Sequence, residues 1–198
     1  MSSYPAERTE FIRICRRALQ TGMQGSSGGN LSMRLQENLF LVKPSGIALF
    51  DLKEEDLLVA DDSGIPVDGT GKPTKEINSH LGVYRIRRDI CGIVHYHPTF
   101  ATTYAVCRQE IPLKTVHARR ILGKIPVIPP NEEGSEALAV SIQKVFSEKS
   151  VCTALLFDHG IIAAGDALAQ AQNLAELVEE SARIAYLSRL LSTLQQLL

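Results

Sequence analysis

The sequence predicts an α/β fold in which helices cover a mostly antiparallel or mixed sheet, and three observations carry that expectation. Segments with apolar residues at helical spacing interleave with short apolar runs of strand character along all 198 residues. Apolar side chains make up 44% of the chain and charged ones 22%, the balance of a globular protein, which excludes disorder as the dominant state. No repeat, linker or low-complexity stretch interrupts the chain, so residues 1–198 are expected to form a single domain.

Phe11, Ile12, Ile14, Cys15, Ala18 and Leu19 recur at helical spacing and predict a first amphipathic helix that stops near Gly22 and Gly25. The loop QGSSGGN then feeds the alternation Leu31, Met33, Leu35, and NLFLVKPSG supplies a second short strand. DLKEEDLLVA holds a turn and a further strand, whereas DDSGIPVDGTGKPT reads as a turn-rich passage closed by Pro73. Helical spacing resumes from Lys75 to Arg87 through Ile77, Leu81, Tyr84 and Ile86. ICGIVHYHP predicts a buried strand, TFATTYAVC a helix, KIPVIPP a short strand running into a proline-rich turn, and Ser135 to Phe146 another helix. SVCTALLFDHGIIAAG splits two apolar runs at Asp-His-Gly, the pattern of two strands around a tight turn. Leu168 to Leu191 is a long helix whose residues Leu187, Leu190, Leu191 and Leu194 form an apolar face left for solvent or a partner.

Charge and composition exclude several function classes. Lys and Arg number 21 against 22 Asp and Glu, so at a net charge of −1 there is no whole-chain basic field to hold a nucleic acid or an anionic membrane. Aromatic residues are 6% with no Trp, which argues against a base-stacking surface. The four cysteines, Cys15, Cys91, Cys107 and Cys152, show no CxxC spacing and are expected to be free, buried thiols. The charged N-terminal stretch lacks the apolar core of a signal peptide and no window has the apolar length of a bilayer span. A soluble cytoplasmic protein acting on small metabolites, with neither nucleic acid nor membrane as partner, is the expectation.

His95 and His97 stand two apart in an apolar strand, a spacing that puts both imidazoles on one face. The pair alone fits a shared divalent ion and an ordinary polar sheet face equally well. Glu76 in the preceding helix and His159 at the later turn are polar residues beside segments expected to be buried, and each is a candidate to complete a tetrahedral nitrogen and oxygen site. The glycines and hydroxyls of GSSGGN have the chemistry of an anion cradle, although on its own such a stretch is more often a flexible turn.

Four passages, GGNLSMR at 28–34, KPSGI at 43–47, KPTKE through IVHYHP at 72–98 and LLFDHGIIAAG at 155–165, together resemble the class II aldolase/adducin family. That family includes sugar-phosphate aldolases, 4-epimerases and 3-oxo-tetronate 4-phosphate decarboxylases, and the resemblance implies a three-layer α/β/α arrangement. It further implies that Glu76, His95, His97 and His159 hold one divalent ion per subunit, zinc in the aldolases, with Asp158 orienting His159. Ser27, Gly29, Asn30, Ser45, Gly46 and Thr74 map onto the cradle for a substrate phosphate.

Two departures stand out. Lys75 occupies a position where aldolases carry a small hydroxyl residue, and Thr-Lys-Glu is similar to the decarboxylase branch, where a cation pairs with a phosphate or a carboxylate. The segment IPLKTVHARRILGKIP lacks the tyrosine that serves as proton donor in fuculose phosphate aldolase, which leaves His117 as candidate acid or base and Arg119 and Arg120 for anion binding. The activity implied is a metal-dependent carbon–carbon lyase acting on a small phosphorylated ketose or sugar acid through an enediolate, with Glu76 also accepting a proton. Decarboxylation of a 3-oxo-tetronate 4-phosphate and 4-epimerisation are the enzymatic alternatives, and an adducin-head interaction module is the non-enzymatic one, disfavoured by retention of all four ligand positions. The family implies a homotetramer with the site near a subunit boundary.

Overall fold

The computed structural model, which describes residues 3–196, begins with helix α1 (Pro5–Gln20) and the hairpin of β1 (Asn30–Gln36) and β2 (Leu39–Val42). Then come β3 (Leu58–Asp61), β4 (Pro66–Asp68), α2 (Ile77–Ile86), β5 (Gly92–Tyr96), α3 (Thr99–Val106) and α4 (Val116–Leu122). The chain continues through β6 (Val127–Ile128), α5 (Glu136–Phe146), β7 (Thr153–Leu156), β8 (Gly160–Gly165) and α6 (Leu168–Gln195). All eight strands join one sheet in the order β4-β3-β2-β1-β5-β8-β7-β6. Every adjacent pair is antiparallel except β6 and β7, so the sheet is mixed and mostly antiparallel, as expected.

Strand alternation sorts the core into two halves. Leu31, Leu41, Val94 and Tyr96 face α1, α3, α4 and α6, meeting Phe11, Ala101, Ala118 and Val178. Phe40, Val42 and Ile93 face the other way, onto Leu81 and Tyr84 of α2 and Leu138 and Phe146 of α5. The result is the three-layer arrangement, and it matters for function because His95, like Ile93, projects from the α2/α5 face while α4 lies on the opposite one.

Two elements depart from the periodicity reading. β4 lies inside the passage expected to be only turns; it is a three-residue edge strand starting at Pro66, a position where the missing N–H costs no ladder bond. α4 is seven residues, too short for a readable apolar period, and is announced only by Thr115, whose hydroxyl accepts from the Ala118 N–H at 3.1 Å. The cysteines are free, but only Cys15 is fully buried; Cys91 and Cys152 are half-buried and Cys107 is exposed. Burial pushes the Cys15 thiol up to about 12, so it packs as a small hydrophobe. Leu187, Leu190, Leu191 and Leu194 are exposed along the end of α6, joined by Tyr186. No helix among the described residues is long and apolar enough to cross a membrane.

Gly92 opens β5, the strand that carries both histidines, and sits directly beneath the first turn of α6. A Cβ there would overlap the backbone of Leu168 and Ala167, which are not free to retreat because Leu168 belongs to the core. Gly92→Ala is therefore expected to destabilise the fold by about 3 kcal/mol, the upper end of overpacking costs, read as a lowered urea midpoint at unchanged slope.

Candidate metal centre

The site forms where β5 ends. His95 and His97 project to one side while Tyr96 between them points into the opposite layer and donates to Gln172 Oε1 at 2.8 Å. The third histidine, His159, comes from the turn joining β7 and β8. Gly160 makes that placement possible, because any side chain there would overlap the Tyr96 carbonyl, and Asp158 takes a left-handed backbone, φ 56°, to turn the chain. Ring centroids of the three histidines lie 4.5, 4.7 and 5.0 Å apart, and their nitrogens converge within 4.8 Å of one another.

Glu76 reaches the same point from the N-cap of α2. Its carboxylate does not cap the helix; Oε2 accepts from Asn30 Nδ2 at 2.7 Å and lies 3.2 Å from His95 Nε2, while Oε1 is 4.0 Å from His159 Nδ1. Asn30 is available because it is the cross-strand neighbour of His95 in the β1–β5 register. Glu76 is held at this height by a zipper of two loops: Pro44 bridges Pro73, Ser45 N–H donates to Lys72 O at 2.8 Å, and Thr74 N–H donates to Lys43 O at 3.1 Å.

The donor set fits a divalent ion on an observation independent of residue type. His95 Nδ1 lies 2.8 Å from the Ile161 carbonyl, which can only accept, so Nδ1 carries the proton and Nε2 of the neutral ring is a lone pair. Burial, reinforced by His159 and His97, holds His95 well below the usual histidine value, so the ring stays neutral. Its Nε2 lone pair thus faces a carboxylate oxygen at 3.2 Å and His159 Nε2 at 3.2 Å. Two acceptors that face each other in a dry site repel unless a cation or proton lies between them. Nitrogens bound tetrahedrally to one zinc ion are separated by about 3.4 Å, close to the 3.2 Å between His95 Nε2 and His159 Nε2. Burial likewise lowers His97, and its buried Nε2 has no hydrogen-bond partner among the described residues.

The residues expected to cradle a phosphate lie on two loops that adjoin this point. Gly28 and Gly29 press the 25–30 loop onto β5: a Cβ on Gly28 would meet His97 Nδ1 at 2.9 Å, and one on Gly29 would meet Gln24 Oε1 at 2.7 Å. Ser27 on that loop and Ser45 and Gly46 on the zipper are exposed, and buried Thr74 sits one peptide from Lys75, with Oγ1 3.4 Å from the Glu76 N–H. Lys75 is exposed beside Glu76.

Other expectations are not met within the chain. His117 is exposed on α4 and faces a groove against Gln170, Asn173 and Glu176 of α6, on the sheet face away from the cluster. Arg119 spends its guanidinium on the carbonyls of Leu113 and Lys114. Asp158 does not orient His159 through its side chain; Oδ2 accepts from Arg108 Nη2 at 3.2 Å instead.

Two residues were not legible beforehand. Gln24 is buried, its Oε1 accepts from the His97 N–H at 3.1 Å and its Nε2 donates to Ser26 Oγ at 3.1 Å, so it pins the loop to the backbone of His97. Glu133, on the loop before α5, brings a carboxylate oxygen within 4.8 Å of donor atoms on Glu76 and His159. The fifth histidine, His80, is buried, shares a hydrogen bond with Ser32 Oγ at 2.8 Å, and is pushed down to about 4 by burial.

A family model described as Class II Aldolase and Adducin N-terminal domain matches residues 9–186. Among curated proteins, an L-fuculose phosphate aldolase from Methanocaldococcus jannaschii is 34% identical over 184 residues, 93% of this chain and 98% of that protein. A 3-oxo-tetronate 4-phosphate decarboxylase from Pectobacterium atrosepticum is 30% identical over 193 residues, 94% of this chain and 87% of that protein. A solved structure of an L-fuculose 1-phosphate aldolase superposes with a TM-score of 0.88 at 33% identity, covering 96% of this chain and 88% of the other.

The Asn30 to Glu76 bond is buried and charge-assisted. Asn30→Ala leaves the carboxylate without its amide donor and is expected to cost about 2 kcal/mol in metal-free protein, measured by urea titration.

Proposed function

The chain belongs to the class II aldolase and adducin family and is a lyase of the class II aldolase type, and on that premise we propose that it makes or breaks a carbon–carbon bond in a small phosphorylated ketose with the help of a divalent metal. The observation that carries this reading is the convergence of three imidazoles and one carboxylate on a single point. His95, His97, His159 and Glu76 would hold one ion per subunit, and a donor set of three nitrogens and one oxygen suits zinc. When bound, the ion supplies Lewis-acid polarisation of the substrate's carbonyl and hydroxyl oxygens and offsets the negative charge that develops on them.

The chain's own residues do the rest. Backbone and hydroxyl donors of Ser27, Gly29, Ser45, Gly46 and Thr74 grip the phosphate, aided by the Asn30 side chain, and so fix the position of the reacting carbons. Asn30 also aims the Glu76 carboxylate, which takes and returns a proton at the carbon of the broken bond. His117 keeps a place in this reading only as a residue offered by a second copy of the chain, because in its own chain it lies on the far layer. A homotetramer of single-domain subunits working in the cytoplasm completes the proposal, and the exposed leucines of α6 support assembly.

Decarboxylation of a phosphorylated 3-oxo acid is the second reading, favoured by one observation: Lys75, an exposed cation beside the buried Glu76, is well placed to meet a substrate carboxylate. Assays of ketose phosphate cleavage and of carbon dioxide release separate the two.

His95→Ala and His97→Ala are each expected to lower metal content and turnover together. Loss of a ligand weakens binding by at least the roughly ten- to hundredfold seen for residues one shell further out, which elemental analysis and chelator competition measure. Full metal and full turnover in both variants would sink the site. For Lys75→Ala, kcat/KM is expected to fall by roughly ten- to a hundredfold with a raised KM on the preferred substrate, the range for losing a charge-assisted bond. Unchanged kinetics would leave Lys75 as surface and remove the support for a decarboxylase.

A further inference from the structure

The loop between β6 and α5 is built to deliver one side chain. Pro129 and Pro130 keep it extended after β6, Asn131 Nδ2 donates to Pro129 O at 2.8 Å, and Ser135 N–H donates to Glu132 O at 3.1 Å. Gly134 takes φ 72° against the backbone of Lys75, where a Cβ would stand 3.0 Å from the Lys75 carbonyl. Ser135 then caps α5 by accepting from the Leu138 N–H at 3.1 Å. The loop is thereby clipped to the residue preceding Glu76. Glu133 at its tip is exposed and holds a carboxylate oxygen within 4.8 Å of donor atoms of Glu76 and His159.

Cleavage of a β-hydroxy ketone needs proton transfer at two places: at the hydroxyl on the carbon that leaves as an aldehyde, and at the carbon of the fragment that keeps the carbonyl. Glu76, 3% exposed and bonded to Asn30, is committed to one of them. Of the other titratable side chains of the same chain, His80 is sealed against Ser32, Asp158 is paired with Arg108 and His117 is on the other layer, while Lys75 is a cation suited to an anion rather than to taking a hydroxyl proton. A His117 from a second copy is the rival that the test below includes.

We propose that Glu133 is the second proton-transfer residue, serving the hydroxyl oxygen while Glu76 serves the carbon; this rests on the aldolase reading above. In the cleavage direction the Glu133 carboxylate takes the hydroxyl proton and the freed O–H electron pair closes the aldehyde C=O. The C–C bond breaks with its pair passing into the carbonyl-bearing fragment. Glu76, which enters this step as the protonated acid, gives its proton to the carbon so released and is left as the carboxylate; after product release Glu133 returns the hydroxyl proton to solvent and Glu76 takes one up. One proton leaves oxygen and one reaches carbon, with no redox partner. Glu133 is the solvent-exposed member of its group with buried Glu76 and half-buried His159, so it can exchange its proton with water.

The test separates the two proton transfers. Exchange of solvent deuterium into dihydroxyacetone phosphate involves only the carbon, whereas cleavage of a ketose 1-phosphate and its reversal involve both. Glu133→Gln is expected to keep its metal content and its exchange rate within about twofold while kcat for cleavage falls by roughly 10² to 10⁴ and KM changes little. Glu76→Gln is expected to lose exchange as well. A Glu133→Gln variant that cleaves at the wild-type rate, loses metal, or loses exchange as severely as cleavage overturns the assignment, as does selective loss of cleavage in His117→Gln with Glu133→Gln unaffected. Wild-type protein that carries out neither exchange nor cleavage overturns the aldolase reading itself, and the role of Glu133 falls with it.

Discussion

Crowding of electron-pair acceptors into one dry volume is the constraint on which the site depends. His95 Nε2 faces the Glu76 carboxylate because its other nitrogen is committed to the Ile161 carbonyl, and burial blocks the protonation that would relieve the repulsion. Such an arrangement is uphill for the isolated chain, and the fold sustains it with interactions elsewhere. Asn30 supplies a donor to Glu76 through the β1–β5 register, and the two-loop zipper stops the N-terminus of α2 from drawing back. A divalent cation converts the same repulsion into binding energy, which is why strain of this kind points to a ligand rather than to a packing fault.

The glycines follow from that crowding. Gly160 lets the β7–β8 turn fold onto the Tyr96 carbonyl, bringing His159 to the ends of β5, and Gly28 lets the serine-glycine loop lie on His97. Gly29 makes room for Gln24, whose amide fastens that loop to the His97 backbone. Each is a close approach, to the Tyr96 backbone for Gly160 and to the His97 and Gln24 side chains for Gly28 and Gly29, that a methyl group would crowd. The loop that offers phosphate donors is consequently built from the same contacts that position the histidines, and the two halves of the site cannot drift apart independently.

Much of this was legible because it is local. Strand alternation put His95 and His97 on one face, and the split apolar run around Asp-His-Gly announced the turn that carries His159. The order of elements followed from periodicity, failing where an element was too short, as in α4, or lay on an edge, as in β4. Gln24 and Glu133 were illegible for a different reason: each acts on residues tens of positions away, and nothing in their immediate neighbours distinguishes them from surface polar residues. His117 shows the converse limit: its chemistry suits an acid or base, but its helix packs on α6, on the layer away from its own chain's cluster, and sequence alone does not say which copy's cluster a side chain meets.

The rim of the site carries opposite charges, and their contributions differ in kind from those of the interior. Lys75 and Glu133 are exposed and are brought to one edge because Gly134 packs on the Lys75 backbone. In open solvent, charges so placed are screened and contribute little to binding. Substrate entry displaces that water, and each charge then acts at short range and lower dielectric on whichever substrate group stands opposite it. On the proposed reading, gripping the phosphate therefore falls to the loop donors. The rim charges act afterwards, on the reacting end: a carboxylate there suits a hydroxyl that must lose a proton and opposes a second carboxylate, whereas a lysine favours one. On the proposed reading, the balance between Glu133 and Lys75, set by a loop packed against the residue before Glu76, is what would tilt one site toward a neutral aldehyde or toward carbon dioxide as the fragment released.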